Sequence, residues 1–183
     1  MTLNIITGSR SERIPRLMNE FETQGITGYE LWDGVFDYQK KAKENINAAH
    51  KYIIEYAKMA EWQSVCIAED DIKFTAPGAW DYFLNNVPKD FDLYLGSVYV
   101  GEISPDNTTD YFCGLTIYIC HSRFYDRFLS ADPHEHIDRA LEGMGKFVVC
   151  NPFIAEQWDG WSHNTGKEEK YGKLMQGRNL FGR

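Results

Sequence analysis

The sequence predicts an α/β layered fold with a mostly parallel central sheet flanked by helices. Continuous apolar runs of the kind a doubly buried strand requires alternate along the chain with segments of helical periodicity. The 183 residues are 43% hydrophobic and 15% aromatic, enough apolar surface for a sizeable core. No internal repeat, low-complexity tract or Pro/Gly-rich linker divides the chain. Residues 1–163 are therefore expected as one domain, with 164–183 as a basic, mobile or ligand-ordered tail.

The elements follow in order. Leu3-Asn4-Ile5-Ile6-Thr7 is short, partly β-branched and closed by Gly8-Ser9, a strand leading into a turn. After Pro15, placed for a first helical turn, Leu17, Met18 and Phe21 recur at helical spacing, and Gly25 is positioned to end that helix. Tyr29-Glu30-Leu31-Trp32 reads as a second strand stopped by Asp33-Gly34. From about Asp37 to Glu61, Ala42, Ile46, Ala49, Ile53, Ala57 and Ala60 form one apolar stripe opposite lysines and glutamates, which predicts a long helix lying on a sheet. Ser64-Val65-Cys66-Ile67-Ala68 is a buried strand, as are the runs at Leu93–Leu95, Leu115–Cys120 and Phe147–Cys150. Shorter helices are expected at Pro77–Asn85, Ser122–Ser130 and His136–Gly143.

Charge narrows the function classes. Nineteen basic and 27 acidic side chains leave a net −8, which repels a nucleic-acid backbone, so an anionic ligand must be bound locally. The excess is uneven: residues from Asn164 onward carry net +3, leaving −11 on the first 163. No run approaches the roughly 20 apolar residues of a membrane helix, and MTLNIITGSR lacks a signal-like core, so a soluble, cytoplasmic protein is expected. The four cysteines show no C-x-x-C spacing, and Cys66, Cys120 and Cys150 each lie in an apolar run, which predicts buried thiols in a reducing compartment.

The buried strand ends abruptly in Glu69-Asp70-Asp71. Adjacent carboxylates raise one another's pKa and resist desolvation, a penalty that a divalent cation removes. At the carboxyl end of a strand in an open α/β sheet, such a group faces the usual ligand crevice. A solvated acidic turn is the alternative reading of the triplet taken alone. In its favour as a site, the acid-x-acid spacing puts Glu69 and Asp71 on the same side of an extended backbone.

Here the chain resembles glycosyltransferase family 25, enzymes related to lipopolysaccharide galactosyltransferases with the nucleotide-sugar-binding GT-A fold. The family's Glu-Asp-Asp motif looks like Val65-Cys66-Ile67-Ala68-Glu69-Asp70-Asp71-Ile72. Ile5-Ile6-Thr7 through Arg13 is similar to its first strand and arginine-containing turn, and Ala48-Ala49-His50 to its Ala-His helix step. Phe91-Asp92-Leu93-Tyr94-Leu95-Gly96, Gly114-Leu115-Thr116-Ile117-Tyr118-Ile119 and Ile137-Asp138 match later motifs, in the family's order over roughly residues 1 to 160. The chain departs from the family in its shortness and in the reduced segments for acceptor recognition.

The resemblance implies a GT-A-like, Rossmann-type layered fold and an inverting, metal-dependent transfer of a sugar from a nucleotide diphosphate, with UDP the expected nucleotide, to an acceptor hydroxyl. Asp71 is then the expected direct ligand of Mn2+ or Mg2+, Asp70 a second ligand or its support, and Glu69 a contact to ribose or a metal-bound water. Thr7, Arg10, Arg13 and His50 are expected on the nucleotide side, His163 as a further metal ligand, and Asp138 as the base. His50 also reads as a helix-surface or interface histidine, His163 as an ordinary loop residue, and Asp138 as a plain helix cap. Trp158 and Trp161 suit stacking on a sugar face, or core packing. The acceptor is a glycan, a protein or, against the net charge, a modified DNA base. Two other readings share the acidic crevice: a metal-dependent nucleotidyltransferase, and a nucleotide- or glycan-binding relative without activity.

Overall fold

A computed structural model describes residues 1–8, 12–162 and 164–183. Its centre is a seven-stranded sheet of β1 (Leu3–Thr7), β2 (Tyr29–Asp33), β3 (Ser64–Glu69), β5 (Leu93–Leu95), β6 (Thr108–Thr109), β7 (Ile117–His121) and β8 (Phe147–Val149). The spatial order is β2-β1-β3-β7-β5-β8-β6. β1, β2, β3, β5 and β8 share one direction, while β7 and β6 oppose it. The layered α/β architecture expected from the sequence is therefore present. The reversal at β7 has a simple cause: the chain between β5 and β7 loops back at the carboxyl end of the sheet without a crossover helix, so β7 starts beside Leu95 and runs antiparallel to it.

Helices cover both faces. α1 (Arg13–Gln24) and α3 (Ala79–Asn85) lie on one side, and α2 (Ala42–Met59), α4 (Tyr125–Ser130) and the short α5 (Ile137–Ala140) on the other. β3 shows the division residue by residue. Val65 and Ile67 pack with Ile53, Ile54 and Phe128 on the α2 side, whereas Cys66 and Ala68 pack with Leu17, Phe21 and Phe83 on the α1 side. All four are at most 1% exposed, as a strand between two neighbours and two helix layers must be. Gly25 ends α1 in the left-handed region at φ 67, where a residue without Cβ is unstrained.

Two expectations change at α2. The helix starts at Ala42, not Asp37, because Asn45 Nδ2 donates to the Asp37 carbonyl and 37–40 form a turn instead. Its buried residues are Asn47, Ala49, His50, Ile53, Ile54 and Ala57, so the face is rotated away from Ile46 and Ala60. Asn47 tolerates burial because its Nδ2 donates to the carbonyls of Asp132 and Glu135, both at 2.9 Å.

Two small ribbons complete the chain: β4 (Ile72–Phe74) with β9 (Ala155–Gln157), and β10 (Gly160–Ser162) with β11 (Lys167–Glu169). The segment expected as a mobile or ligand-ordered tail contains the short α6 (Tyr171–Leu174) and is held to the body. Met175 is buried, Phe153 N–H donates to the Asn179 carbonyl, Phe181 N–H to the Phe153 carbonyl, and Arg183 pairs with Glu156 at 2.9 Å. Apolar anchors that show no helical period explain why this docking was not apparent in the sequence. Cys66, Cys120 and Cys150 are buried, and burial pushes each thiol pKa up. Among the described residues, no helix is long and apolar enough to cross a membrane.

Candidate active site

β3 delivers its three acids to the carboxyl end of the sheet. Glu69 is still in register, its N–H donating to the Thr116 carbonyl, and Asp70 N–H donates to the Ile6 carbonyl. The chain then enters β4, which pairs antiparallel with β9 and sets Gln157 opposite Ile72. That pairing brings the Gln157 carboxamide onto the triplet. Its Nε2 donates to Glu69 Oε2 at 2.6 Å and to Asp71 Oδ1 at 3.0 Å, so the two alternate acids converge on one partner as their spacing requires.

Asp70 points the other way and is 4% exposed. Its Oδ2 accepts from Gly8 N–H and its Oδ1 from Arg13, each at 2.6 Å. Gly8 allows the end of β1 to approach this closely, since a Cβ there would sit 3.3 Å from Asp70 Oδ2. The Arg13 guanidinium also lies 3.2 Å from Asp71 Oδ2 and donates to the Trp161 carbonyl at 2.7 Å. A cation in the first turn of a helix opposes the helix dipole, so the acid pair, not the helix, decides where Arg13 sits.

Among the described residues, the cluster is short of positive charge. Burial, followed by repulsion from Glu69, pushes the Asp71 pKa up to about 7 even with Arg13 beside it. The walls are anchored by tyrosines: Tyr99 Oη accepts from Gln157 N–H at 2.6 Å, and the ring of Tyr171 lies 5.6 Å from that of Tyr99. Gly114, at φ 103, leaves room for this arrangement, because a Cβ there would fall 2.5 Å from the Tyr99 ring. Arg13, Asp70, Asp71, Trp158, Asp159 and Trp161 line a cleft of about 260 Å³. Trp158 has Lys73 Nζ over its ring at 4.8 Å, and the more exposed Trp161 also lines the cleft.

The other expected residues fall into two groups. Arg10 and His163 lie outside the described residues. Thr7, His50 and Asp138 are described, and each is engaged elsewhere. Thr7 Oγ1 donates to the Trp32 carbonyl at 2.9 Å and ties β1 to β2. His50 was expected to contact a nucleotide or to lie at a surface, but it is 0% exposed, in the middle of the rotated α2 face, and reaches Glu69 from behind. Asp138 is not among the residues lining the cleft. Its Oδ2 accepts from Gly114 N–H and its Oδ1 from Arg139 N–H, both at 2.9 Å, a geometry that holds the 113–116 segment and does not support its reading as the base. Replacing Asp138 with alanine is expected to cost about 1–3 kcal/mol, read by chemical denaturation, with unchanged nucleotide affinity. A large loss of affinity in a fully folded variant would restore the base reading.

Gln157 and Tyr99 make contacts at the site that sequence reading missed. Their roles depend on pairing between two three-residue strands more than 80 positions apart, which leaves no local pattern.

Among the described residues, no group of three or more His, Cys, Asp or Glu side chains is disposed to hold a metal by itself. The donor chemistry still fits a hard cation. Glu69 and Asp71 are neighbouring carboxylates that share one amide donor, and magnesium-type ions commonly take one or two such groups and complete their shell with substrate phosphates and water.

No protein-family model matches the chain, and no curated protein does. Solved structures share its fold. A197 from STIV matches at TM-score 0.57 and 11% identity, over 92% of this chain and 93% of that one. HddC from Yersinia pseudotuberculosis, solved with GMP-PN, matches at TM-score 0.50 and 14% identity, over 82% and 90%. A glycosyltransferase involved in glycosylation of the major capsid of PBCV-1 aligns at TM-score 0.47 and 12% identity, over 83% of each chain, too distant to carry an argument.

Proposed function

We propose that the protein is a GT-A-like glycosyltransferase that moves a sugar from a nucleotide diphosphate, UDP in the first instance, to the hydroxyl of a glycan or other acceptor. The observation that carries this reading is the convergence of Glu69 and Asp71 on Gln157, beside Arg13, at a strand end that opens on a cleft. A buried excess of carboxylate is costly to maintain and makes sense where a ligand supplies the missing positive charge. The ordered resemblance to glycosyltransferase family 25 supports the same conclusion.

In this reading Asp71, with Glu69 beside it, holds Mn2+ or Mg2+, which when bound offsets the charge of the departing diphosphate. Arg13 fixes Asp70 and Asp71 and presents its remaining face to the phosphates. Trp161 packs on a sugar or base at the mouth of the cleft, and β4–β9 with Tyr99 keeps the floor rigid. Asp159, which lines the cleft, is better placed than Asp138 to take the acceptor proton.

Thermal unfolding against UDP-, GDP- and CMP-sugars, each with and without Mn2+, tests the proposal, because a ligand of the folded state raises the transition. One UDP-sugar is expected to raise it only when Mn2+ is present, and incubation with acceptors to release UDP. Pyrophosphate as the product would make the protein a nucleotidyltransferase; cation-dependent binding without turnover would make it a binding protein.

A further inference from the structure

Behind the acidic triplet lies a second layer of polar groups that faces no solvent. His50 and Tyr118 are both 0% exposed. His50 Nδ1 lies 2.9 Å from Tyr118 Oη, and His50 Nε2, a buried nitrogen without a hydrogen-bond partner among the described residues, lies 3.5 Å from Glu69 Oε1. The ring is tilted on that of Tyr118, centroids 5.7 Å apart, and α2 packs on β3, so it has little room to turn. The opposite oxygen of Glu69 accepts from Gln157 Nε2, which also donates to Asp71.

We infer that His50 is a positioning residue for the donor site: Tyr118 fixes it as the tautomer with hydrogen on Nε2, and that hydrogen holds Glu69 in place beside Asp71. The assignment of hydrogens follows from the partners. Burial pushes the Tyr118 pKa well up, so its hydroxyl keeps a hydrogen, which it donates to Nδ1. Nδ1 is then the acceptor, and Nε2 carries the hydrogen that faces the carboxylate. In the other neutral tautomer a lone pair would face the carboxylate, and Tyr118 would lose its acceptor. The chain Tyr118–His50–Glu69–Gln157–Asp71 thus runs from the core to the cleft, hydrogen-bonded at each link except His50–Glu69, where the unpartnered Nε2 faces the carboxylate at 3.5 Å. A core histidine satisfied by Tyr118 alone would not need its second nitrogen aimed at a carboxylate of the site. The inference rests on the transferase reading only for what Glu69 goes on to touch.

Two readouts test it, the first without nucleotide. In protein labelled with 15N-histidine, the signals that vanish in His50→Gln belong to His50. They are expected to show hydrogen on Nε2 and none on Nδ1, and Tyr118→Phe to lose that uniform state. A ring with hydrogen on Nδ1, or on both nitrogens, overturns the inference. The second readout is calorimetric titration with UDP and Mn2+. His50→Leu is expected to weaken binding about tenfold, while His50→Gln, whose Nε2 can donate toward Glu69, stays within about threefold of wild type. In a Glu69→Gln background, His50→Leu should have little further effect. Equal weakening by Leu and Gln, or a further tenfold loss without Glu69, reduces His50 to core packing and overturns the role. Should His50→Leu not fold, the ring signals still decide. If wild type binds no UDP, the transferase reading fails, while the ring signals and a double-mutant cycle of His50 and Glu69 in thermal unfolding still judge the positioning.

Discussion

Arg13→Ala is expected to destabilise the protein by about 3 kcal/mol at pH 8, close to the cost of breaking a buried ion pair by removing one partner. Among the described residues, Arg13 is the side chain that bonds Asp70, which is 4% exposed and also accepts from Gly8 N–H. Asp71 loses the Arg13 guanidinium at the same time. The sign of the pH dependence follows from Asp71. Its pKa is already raised, and loss of Arg13 removes an influence that lowers it, so the deficit should shrink as pH falls through about 7 and the group takes up its proton. Adding Asp70→Asn to Arg13→Ala should return part of the lost stability, because the stranded charge is then gone. Thermal melts of the two variants at pH 8 and pH 5 give both answers. An Arg13→Ala protein as stable as wild type at pH 8 would mean that the pair is solvated and carries no structural role.

This coupling explains why the fold was more legible than the site. Strands such as Val65–Ala68 announce themselves because burial on both faces requires a continuous apolar run, and Gly25 marks a helix end by its freedom at positive φ. The acid-x-acid spacing likewise gave the shared orientation of Glu69 and Asp71, since alternation is a property of the extended backbone. What did not show locally was set by contacts between distant segments. The face of α2 is rotated because Asn47 and His50 found polar partners in the 132–135 loop and on β3 and β7, which hydrophobic periodicity does not register. Asp138 matched an expected position in the chain, but Gly114 and Arg139 amides claim its oxygens. Gln157 was invisible because a lone glutamine in a three-residue strand has no signature until β4 places it.

Asp71→Asn should separate stability from function. Burial and Glu69 raise the folded-state pKa of Asp71 to about 7, against 3.8 for the free side chain. The folded state therefore binds this proton more tightly than the unfolded chain does. The group weighs least on stability below about pH 4, its penalty grows as pH rises toward 7, and above 7 the whole penalty applies. A shift of that size corresponds to at most about 4 kcal/mol. Asparagine removes the charge but keeps an oxygen for Gln157, and loss of the Arg13 contact offsets part of the gain. The variant is expected to be more stable than wild type by about 2 kcal/mol at pH 8, or roughly 4–8 °C in Tm, with the advantage fading toward pH 4. The same change removes the carboxylate proposed to hold the cation, so the Mn2+-dependent part of UDP binding should fall by at least about 30-fold, or about 2 kcal/mol. Paired melts and titrations at pH 8 measure both. A variant that melts below wild type there would mean that Asp71 is adequately compensated by Arg13, and one that binds UDP with undiminished Mn2+ dependence would remove Asp71 from the donor site. Stabilisation with loss of binding is the result expected of a carboxylate kept at a cost to the fold for the sake of a ligand.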